Sequence, residues 1–344
     1  MARKVTLIPG DGIGPEIMQA VKEIFDVLQA PVEWEVENAG FTTWKEKGEL
    51  MPSSLLRSLE KNRIGLKGPI TTPVGEGFRS VNIELRQHFD LYANIRPNKS
   101  SEAVPTRFEN VDLVIIRENT EGLYSGLEYS DQRLGIVDSI CRITNKGCER
   151  IVRAGFEYAR KNGRKRVTLV HKANILKQAG AALLNAGKAI APEYPGISMD
   201  DRIIDNMCMQ LVTHPENYDV IVTTNLFGDI LSDLAAGLVG GLGVAAGANI
   251  GDDLAIFEAV HGSAPDIAGK GLANPTAILK SAVMMLRHME EDHLANKLDK
   301  AIDDTLRIKE QRTADLGGKA STREFSQNIV RNLQRNTEAV ELER

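Results

Sequence analysis

With 344 residues, 42% hydrophobic and 26% charged, the chain has the composition of a globular protein long enough for more than one domain. A formal net charge of −5 argues against nucleic acid or an anionic membrane as a main partner. Its three cysteines, Cys141, Cys148 and Cys208, form no Cys-x-x-Cys pair and cannot all be bridged, which suits free thiols in a reducing cytosol. Met1-Ala2-Arg3-Lys4 runs directly into Val5, so a cytoplasmic protein without a signal peptide is expected.

Val5 to Ile8 reads as a strand, followed by the glycine turn Pro9-Gly10-Asp11-Gly12-Ile13-Gly14 and a helix opened by Pro15. The spacing is Gly-x-Gly-x-Gly and not Gly-x-Gly-x-x-Gly, so it is read as a strand-to-helix turn near a cleft, not a phosphate loop. Further strands are expected at Val32 to Val36, Ile64 to Leu66, Val111 to Ile116, Val167 to Val170 and Val220 to Thr223. Helical patterns lie between them, as at Cys148 to Arg160 and Ala179 to Ala191. This alternation predicts an α/β fold with a substantially parallel sheet. Residues 122 to 145 interrupt it, with Tyr124, Tyr129 and Ile136-Val137 among glycines and charges, as a partner-contact hairpin or a plain surface loop would. The uncharged run Leu234 to Ile250 carries five glycines and reads as a helix end and tight loop, not a membrane span. Leu294, Leu298, Ile302 and Leu306 mark one buried helical face, and Ser321-Thr322-Arg323-Glu324 has capping-box spacing.

Three features carry chemistry. Asp229 and Asp233 follow the strand Val220 to Thr223 at i and i+4, on one helical face, either as a solvated surface pair or as ligands to a hard cation that would relieve their repulsion. Arg86, Arg96 and Arg117 lie near strand and helix ends and suit the carboxylates of a small polyacid. Lys172 follows the strand Val167 to Val170, where burial or a nearby cation would make it a base; His171 is read as structural.

The stretch 67 to 96, Arg117-Glu118-Asn119 to Tyr124, His171-Lys172-Ala173-Asn174, Asn225 to Asp233, and Gly247 to Asn274 together resemble the isocitrate and isopropylmalate dehydrogenase family. The likeness runs from Leu7 to about Leu333, and it implies a two-domain α/β fold with a mixed, largely parallel sheet, not a Rossmann fold, and an active cleft between domains. Residues 1–92 with 240–344 would form the large domain, and 93–239 the small one, with 122–145 as a dimer clasp. The resemblance further implies Mg²⁺ or Mn²⁺ on Asp229 and Asp233, with Asp205 from a second subunit. Arg86, Arg96 and Arg117 would hold substrate carboxylates, Lys172 from the partner would help deprotonate the hydroxyl, and Tyr124 would protonate the enol carbon, with Asp205 counted among the catalytic groups.

Within the family, substrate choice turns on residues 76 to 86. Ser80-Val81-Asn82 matches the Ser-x-Asn of isocitrate enzymes; facing an alkyl group, those polar groups would go unpaired at about 1–3 kcal/mol. The implied cofactor set is Thr72, Asn82, His261, Gly262, Ser263, Ala264, Asp266, Ile267 and Asn274, in and around the loop 261–274. Asp266-Ile267 stands where NADP-using relatives carry Lys-Tyr, and Ala314 and Gly318 stand where they carry Tyr and Arg, so NAD is expected. The expectation is thus a homodimeric, possibly homotetrameric, NAD-dependent decarboxylating enzyme acting on the tricarboxylate isocitrate. Homoisocitrate oxidation, or a non-catalytic regulatory subunit of a hetero-oligomeric NAD isocitrate dehydrogenase, is the alternative.

Overall fold

The computed structural model describes residues 2–72, 80–104 and 106–342, with side chains through 335. Residues 76–79 of the expected specificity segment lie outside the described residues. The strands are β1 (Arg3–Ile8), β2 (Val32–Val36), β3 (Ile64–Lys67), β4 (Ala93–Lys99), β5 (Asp112–Glu118), β6 (Glu128–Asp131), β7 (Ile136–Ser139), β8 (Arg166–His171), β9 (Ser198–Ile203), β10 (Val220–Thr223), β11 (Ala246–Ile250) and β12 (Ala255–Ala259). Among the described residues, ten form one sheet in the order β2-β1-β3-β12-β11-β4-β5-β10-β8-β9, while β6 and β7 pair as a separate antiparallel hairpin.

The sheet is mixed. β2, β1, β3 and β12 run parallel to one another, as do β5, β10, β8 and β9. Antiparallel β11 and β4 join the two blocks at the centre. Inside the second block the side chains alternate between two apolar clusters. Val114, Ile116, Val220 and Val222 pack under the helices Asn145–Lys161 and Lys177–Ile190. Leu113, Ile115 and Ile221 pack under Ile204–Thr213 and Asn225–Leu238. Both faces are covered, which is why these strands read as continuous apolar runs. A third cluster joins β1, β3 and β12 to the helices Gly14–Leu28, Thr276–His288, Asp292–Arg307 and Thr322–Leu342.

The expected strands and helices are all present within a few residues. Leu298, Ile302 and Leu306 are buried on one face, and Ser321 and Glu324 cap reciprocally, with Glu324 N to Ser321 Oγ at 3.2 Å and Ser321 N to Glu324 Oε2 at 2.8 Å. One expectation is corrected: the run Leu234 to Ile250 is not merely a helix end and loop, because Ala246–Ile250 is a central strand. Ala-Gly-Ala-Asn-Ile carries almost no β-branched signal; its small residues let the helix Thr276–His288 pack against the strand. No described helix is long and apolar enough to cross a membrane.

Candidate active site

Pairing register collects the polar side chains at the sheet's centre. Residues directly paired across strands point to the same face. Lys67 pairs with Glu258, Asn249 with Asn94, and Asn94 with Arg117, while Arg96 sits two residues along from Asn94. One face of β3, β12, β11, β4 and β5 therefore carries a continuous polar row under the helix Asn225–Leu238.

Arg117 is 1% exposed, and its Nε and Nη2 donate to Asn225 Oδ1 at 3.1 and 2.7 Å while Nη1 pairs with Asp229. Burial, and then the neighbouring Arg86, lower its pKa to about 10, so it remains a cation at neutral pH. Arg96 Nη1 donates to Ser232 Oγ at 2.8 Å and to Asp233 Oδ1 at 3.2 Å, and its Nε to Asn94 Oδ1 at 2.8 Å. Arg86, on the helix Val81–His88, reaches Glu258 Oε1 at 3.2 Å. Tyr124, in the turn Leu123–Ser125, donates its hydroxyl to Asp229 Oδ2 at 2.5 Å, and its ring centroid lies 5.1 Å from the Arg117 guanidinium. Burial, then this bond to Asp229, raises the Tyr124 pKa, so the phenol is kept protonated. Burial works to raise the Asp229 carboxyl, but Arg117 and Tyr124 outweigh it and hold the group ionised below the usual range.

Helix 225–238 comes this close because residue 228 is glycine. A Cβ there would stand 2.4 Å from Arg117 Cγ. Gly228→Ala is therefore expected to displace the guanidinium and lower kcat/KM about tenfold, chiefly through KM for the acid substrate, with the circular dichroism spectrum unchanged. Unaltered kinetics would show that Arg117 tolerates the shift.

Lys172, just past β8, bonds Asp205 Oδ1 at 2.5 Å, and Asp205 opens the helix Ile204–Thr213; that bond holds the Asp205 carboxyl below the ordinary range. The lysine's close partner is thus an acid, not a second cation. Lys172 also lines a cavity of about 220 Å³ with Leu123, His171, Thr224, Asn225 and Phe227. His171 is structural: Nδ1 accepts from Ala173 N at 3.0 Å, which leaves Nε2 to donate to Asp201 at 3.0 Å. The structure does not bring Asp205, Asp229 and Asp233 together; among the described residues no three His, Cys, Asp or Glu side chains converge to hold a metal.

The other expected residues gather around the loop 261–274. The side chain of Ser263 meets Thr71 at 2.6 Å, and its carbonyl accepts from Ile13 N at 2.9 Å. Gly12, at φ +59°, lies where a Cβ would be 2.0 Å from that carbonyl oxygen, so the early glycine turn braces the loop. His261 Nδ1 donates to Gly262 O at 2.9 Å, Nε2 is buried without a partner among the described residues, and burial lowers the ring's pKa. Ala264 adopts φ +39°, Asp266 is exposed, and Ile267 packs on the core. Asn274 Nδ2 donates to Asp315 Oδ2 at 2.9 Å, which ties the 314–318 segment to this loop. Thr72 Oγ1 accepts from Val81 N at 3.4 Å, Ser80 precedes that helix, and Asn82, one turn before Arg86, has a buried Oδ1 with no partner among the described residues.

Glu258, Asn249, Asn94 and Asn225 lie within the quoted motifs but received no role there, although a Glu between Phe257 and Ala259 in an apolar strand is a legible oddity. Burial acts to raise the Glu258 carboxyl, but Lys67, Arg86 and Asn249 hold it far below the usual range. A carboxylate whose pKa is depressed by folding contributes stability that is full above its unfolded pKa and lost as pH falls. The stability lead of the parent over Glu258→Gln in urea, about 3 kcal/mol, is thus expected to hold at neutral pH and to shrink below about pH 4.3. A lead that stays constant into acid would contradict this.

A family model described as isocitrate/isopropylmalate dehydrogenase matches residues 4–329. The chain belongs to the isocitrate/isopropylmalate dehydrogenase family. Curated relatives at 48% identity include a probable mitochondrial NAD isocitrate dehydrogenase alpha chain of Drosophila melanogaster, over 96% of this chain and 88% of that one. The NAD isocitrate dehydrogenase catalytic subunit 5 of Arabidopsis thaliana matches over 95% and 88%, and a regulatory subunit of the Dictyostelium discoideum enzyme over 96% and 92%. The isocitrate dehydrogenase crystal structure from Methylococcus capsulatus superimposes with TM-score 0.93 at 50% identity, over 96% of this chain and 99% of that one. The curated relatives of this family member are named mitochondrial, which points to mitochondria and corrects the cytoplasmic expectation. Free cysteines report a reducing environment, which more than one compartment supplies.

Proposed function

We propose that this chain catalyses NAD-dependent oxidative decarboxylation of D-isocitrate to 2-oxoglutarate, in a site completed by a second copy of itself. The observation that carries this is the convergence of buried Arg86, Arg96 and Arg117 on a face closed by Asp229, Asp233 and Tyr124. Three guanidinium groups in a low-dielectric wall suit a substrate with three carboxylates. Asp229 and Asp233 side chains are 39% and 55% exposed, so their hard oxygens are open to an incoming ligand and fit Mg²⁺ or Mn²⁺. When bound, the cation supplies a Lewis acid for charge developing on substrate oxygen, and NAD supplies the hydride acceptor.

The protein's own work is positioning and proton transfer. Arg96 and Arg117 orient the carboxylates beside the acid pair, and Arg86 with Ser80 and Asn82 takes the outer one. An ionised carboxylate only accepts, so Asn82 would hold it through its amide N–H, and the Oδ1, without a partner among the described residues, stays open to a donor. Lys172 with Asp205, from the second copy, takes the hydroxyl proton, and Tyr124, kept protonated, returns one to carbon. Asp266 accepts from adenosine ribose hydroxyls and repels a 2′-phosphate. Exposed Leu123, Ile140, Ile175, Leu176, Met209 and Ile230, with the hairpin's Ile136 and Val137, support self-association into a dimer or a pair of dimers. Division of the subunit into 1–92 with 240–344, and 93–239, is supported by the separate apolar clusters of the two sheet blocks.

The regulatory-subunit reading draws on the name of the Dictyostelium relative. Arg86, Arg96, Arg117, Tyr124, Lys172, Asp205, Asp229 and Asp233 are all present, which favours turnover. Comparing kcat/KM for isocitrate, homoisocitrate and 3-isopropylmalate tests the reading. Isocitrate should lead by about tenfold or more, and a lead for homoisocitrate would overturn the role given to Ser80 and Asn82.

A further inference from the structure

Asn249 is a buried side chain, 2% exposed, in the central strand β11. Its Oδ1 accepts from Asn94 Nδ2 and Asn119 Nδ2, both at 2.9 Å, and its Nδ2 donates to Glu258 Oε1 at 2.7 Å. Two amide donors on one side and a carboxylate on the other fix its orientation, since a flipped amide would face N–H with N–H and oxygen with oxygen. The bonds continue on both sides. Asn94 Oδ1 accepts from Arg96 Nε at 2.8 Å, while Glu258 meets Arg86 through Oε1 at 3.2 Å and Lys67 through Oε2 at 2.8 Å.

We propose that Asn249 is a positioning residue, the junction that holds Arg86 on its helix and Arg96 on β4 at the fixed spacing needed to take a polycarboxylate. This rests on the function proposed above. Among the described residues the Arg86 guanidinium bonds Glu258 Oε1, and that oxygen's other donor is the Asn249 N–H, while Oε2 is held by Lys67. Without that donor the carboxylate is free to turn wholly toward Lys67, and Arg86 loses its support. The charged groups facing Glu258 are Lys67 from β3 and Arg86 from the helix Val81–His88, with Arg96 of β4 acting from further off.

Asn249→Asp separates positioning from mere packing, because it keeps shape and replaces only the donor. While the introduced carboxyl and Glu258 retain one proton between them, an O–H bridges the two oxygens as the N–H did. Once that proton leaves as pH rises, two carboxylates face each other and Glu258 withdraws from Arg86. The expected result is a KM for isocitrate that rises, relative to the parent, about tenfold between about pH 5.5 and pH 9. KM for NAD should follow the parent, while the thermal midpoint should fall below the parent's as pH rises, since a carboxyl whose pKa is raised by folding loses stability above its unfolded value. Asn249→Leu should show the raised KM at every pH. Impairment of equal size at all pH values in Asn249→Asp, or one shared by both substrates, would reduce Asn249 to a packing residue. Parent-like kinetics throughout would also overturn the proposal. If the parent turns over none of the candidate acids, the proposed function fails, and the same comparison is made calorimetrically with tricarballylate. A pH-dependent loss of affinity in Asn249→Asp then upholds the junction, and a pH-independent one sinks it.

Discussion

Asp229→Asn and Lys172→Met chains, each inactive as a pure homo-oligomer, are expected to regain about a quarter of parental activity when co-assembled. The physical reason is that Asp205, bonded to Lys172, forms no cluster of three acids with Asp229 and Asp233 among the described residues of one chain. If each site takes Asp229 from one copy and Lys172 from the other, a mixed dimer has one site carrying both defects and one carrying neither. Random assembly makes about half the dimers mixed, which gives the quarter. On the proposed function each single variant should lose about 10³-fold or more in kcat, since the changes would remove a carboxylate beside the reacting oxygen and a proton acceptor. A mixture no more active than its components would mean that the site is built within one chain.

Arg117→Lys is the second large effect. The guanidinium spends its donors on Asn225 and Asp229 while sealed from water, and an ammonium cannot reproduce that fork. A loss of about 10²–10³ in kcat/KM is expected, more in KM than in thermal stability, because the positive charge is kept. Arg117→Met should lose more and also destabilise, since Asp229 is left beside Tyr124 without its cation. Steady-state kinetics paired with thermal melts checks both. A lysine variant with parental KM would show that substrate is held elsewhere.

The parts of this architecture legible in sequence were those with a repeating signal. Buried parallel strands such as Val220–Thr223 announce themselves as apolar runs, and the capping box at Ser321 and Glu324 is local chemistry with fixed spacing. The acid pair was legible because a helix places i and i+4 together. The centre of the sheet was not. β11 is built of Ala, Gly and Asn with a single Ile at its end, so its identity comes from its neighbours on both sides. Glu258, Asn249 and Asn94 were hidden for a related reason: what they do depends on strand pairing, and only the register assembles them. The location went astray because cysteine usage reports redox poise and not an address.

Incubating the purified protein, with no other chain present, with D-isocitrate, NAD and Mn²⁺ tests the proposed reaction most directly. Equimolar NADH, CO₂ and 2-oxoglutarate are expected, abolished by chelation and at least about 100-fold less efficient with NADP. NADH without CO₂, an equal rate after chelation, or no turnover until a second kind of chain is added would contradict it.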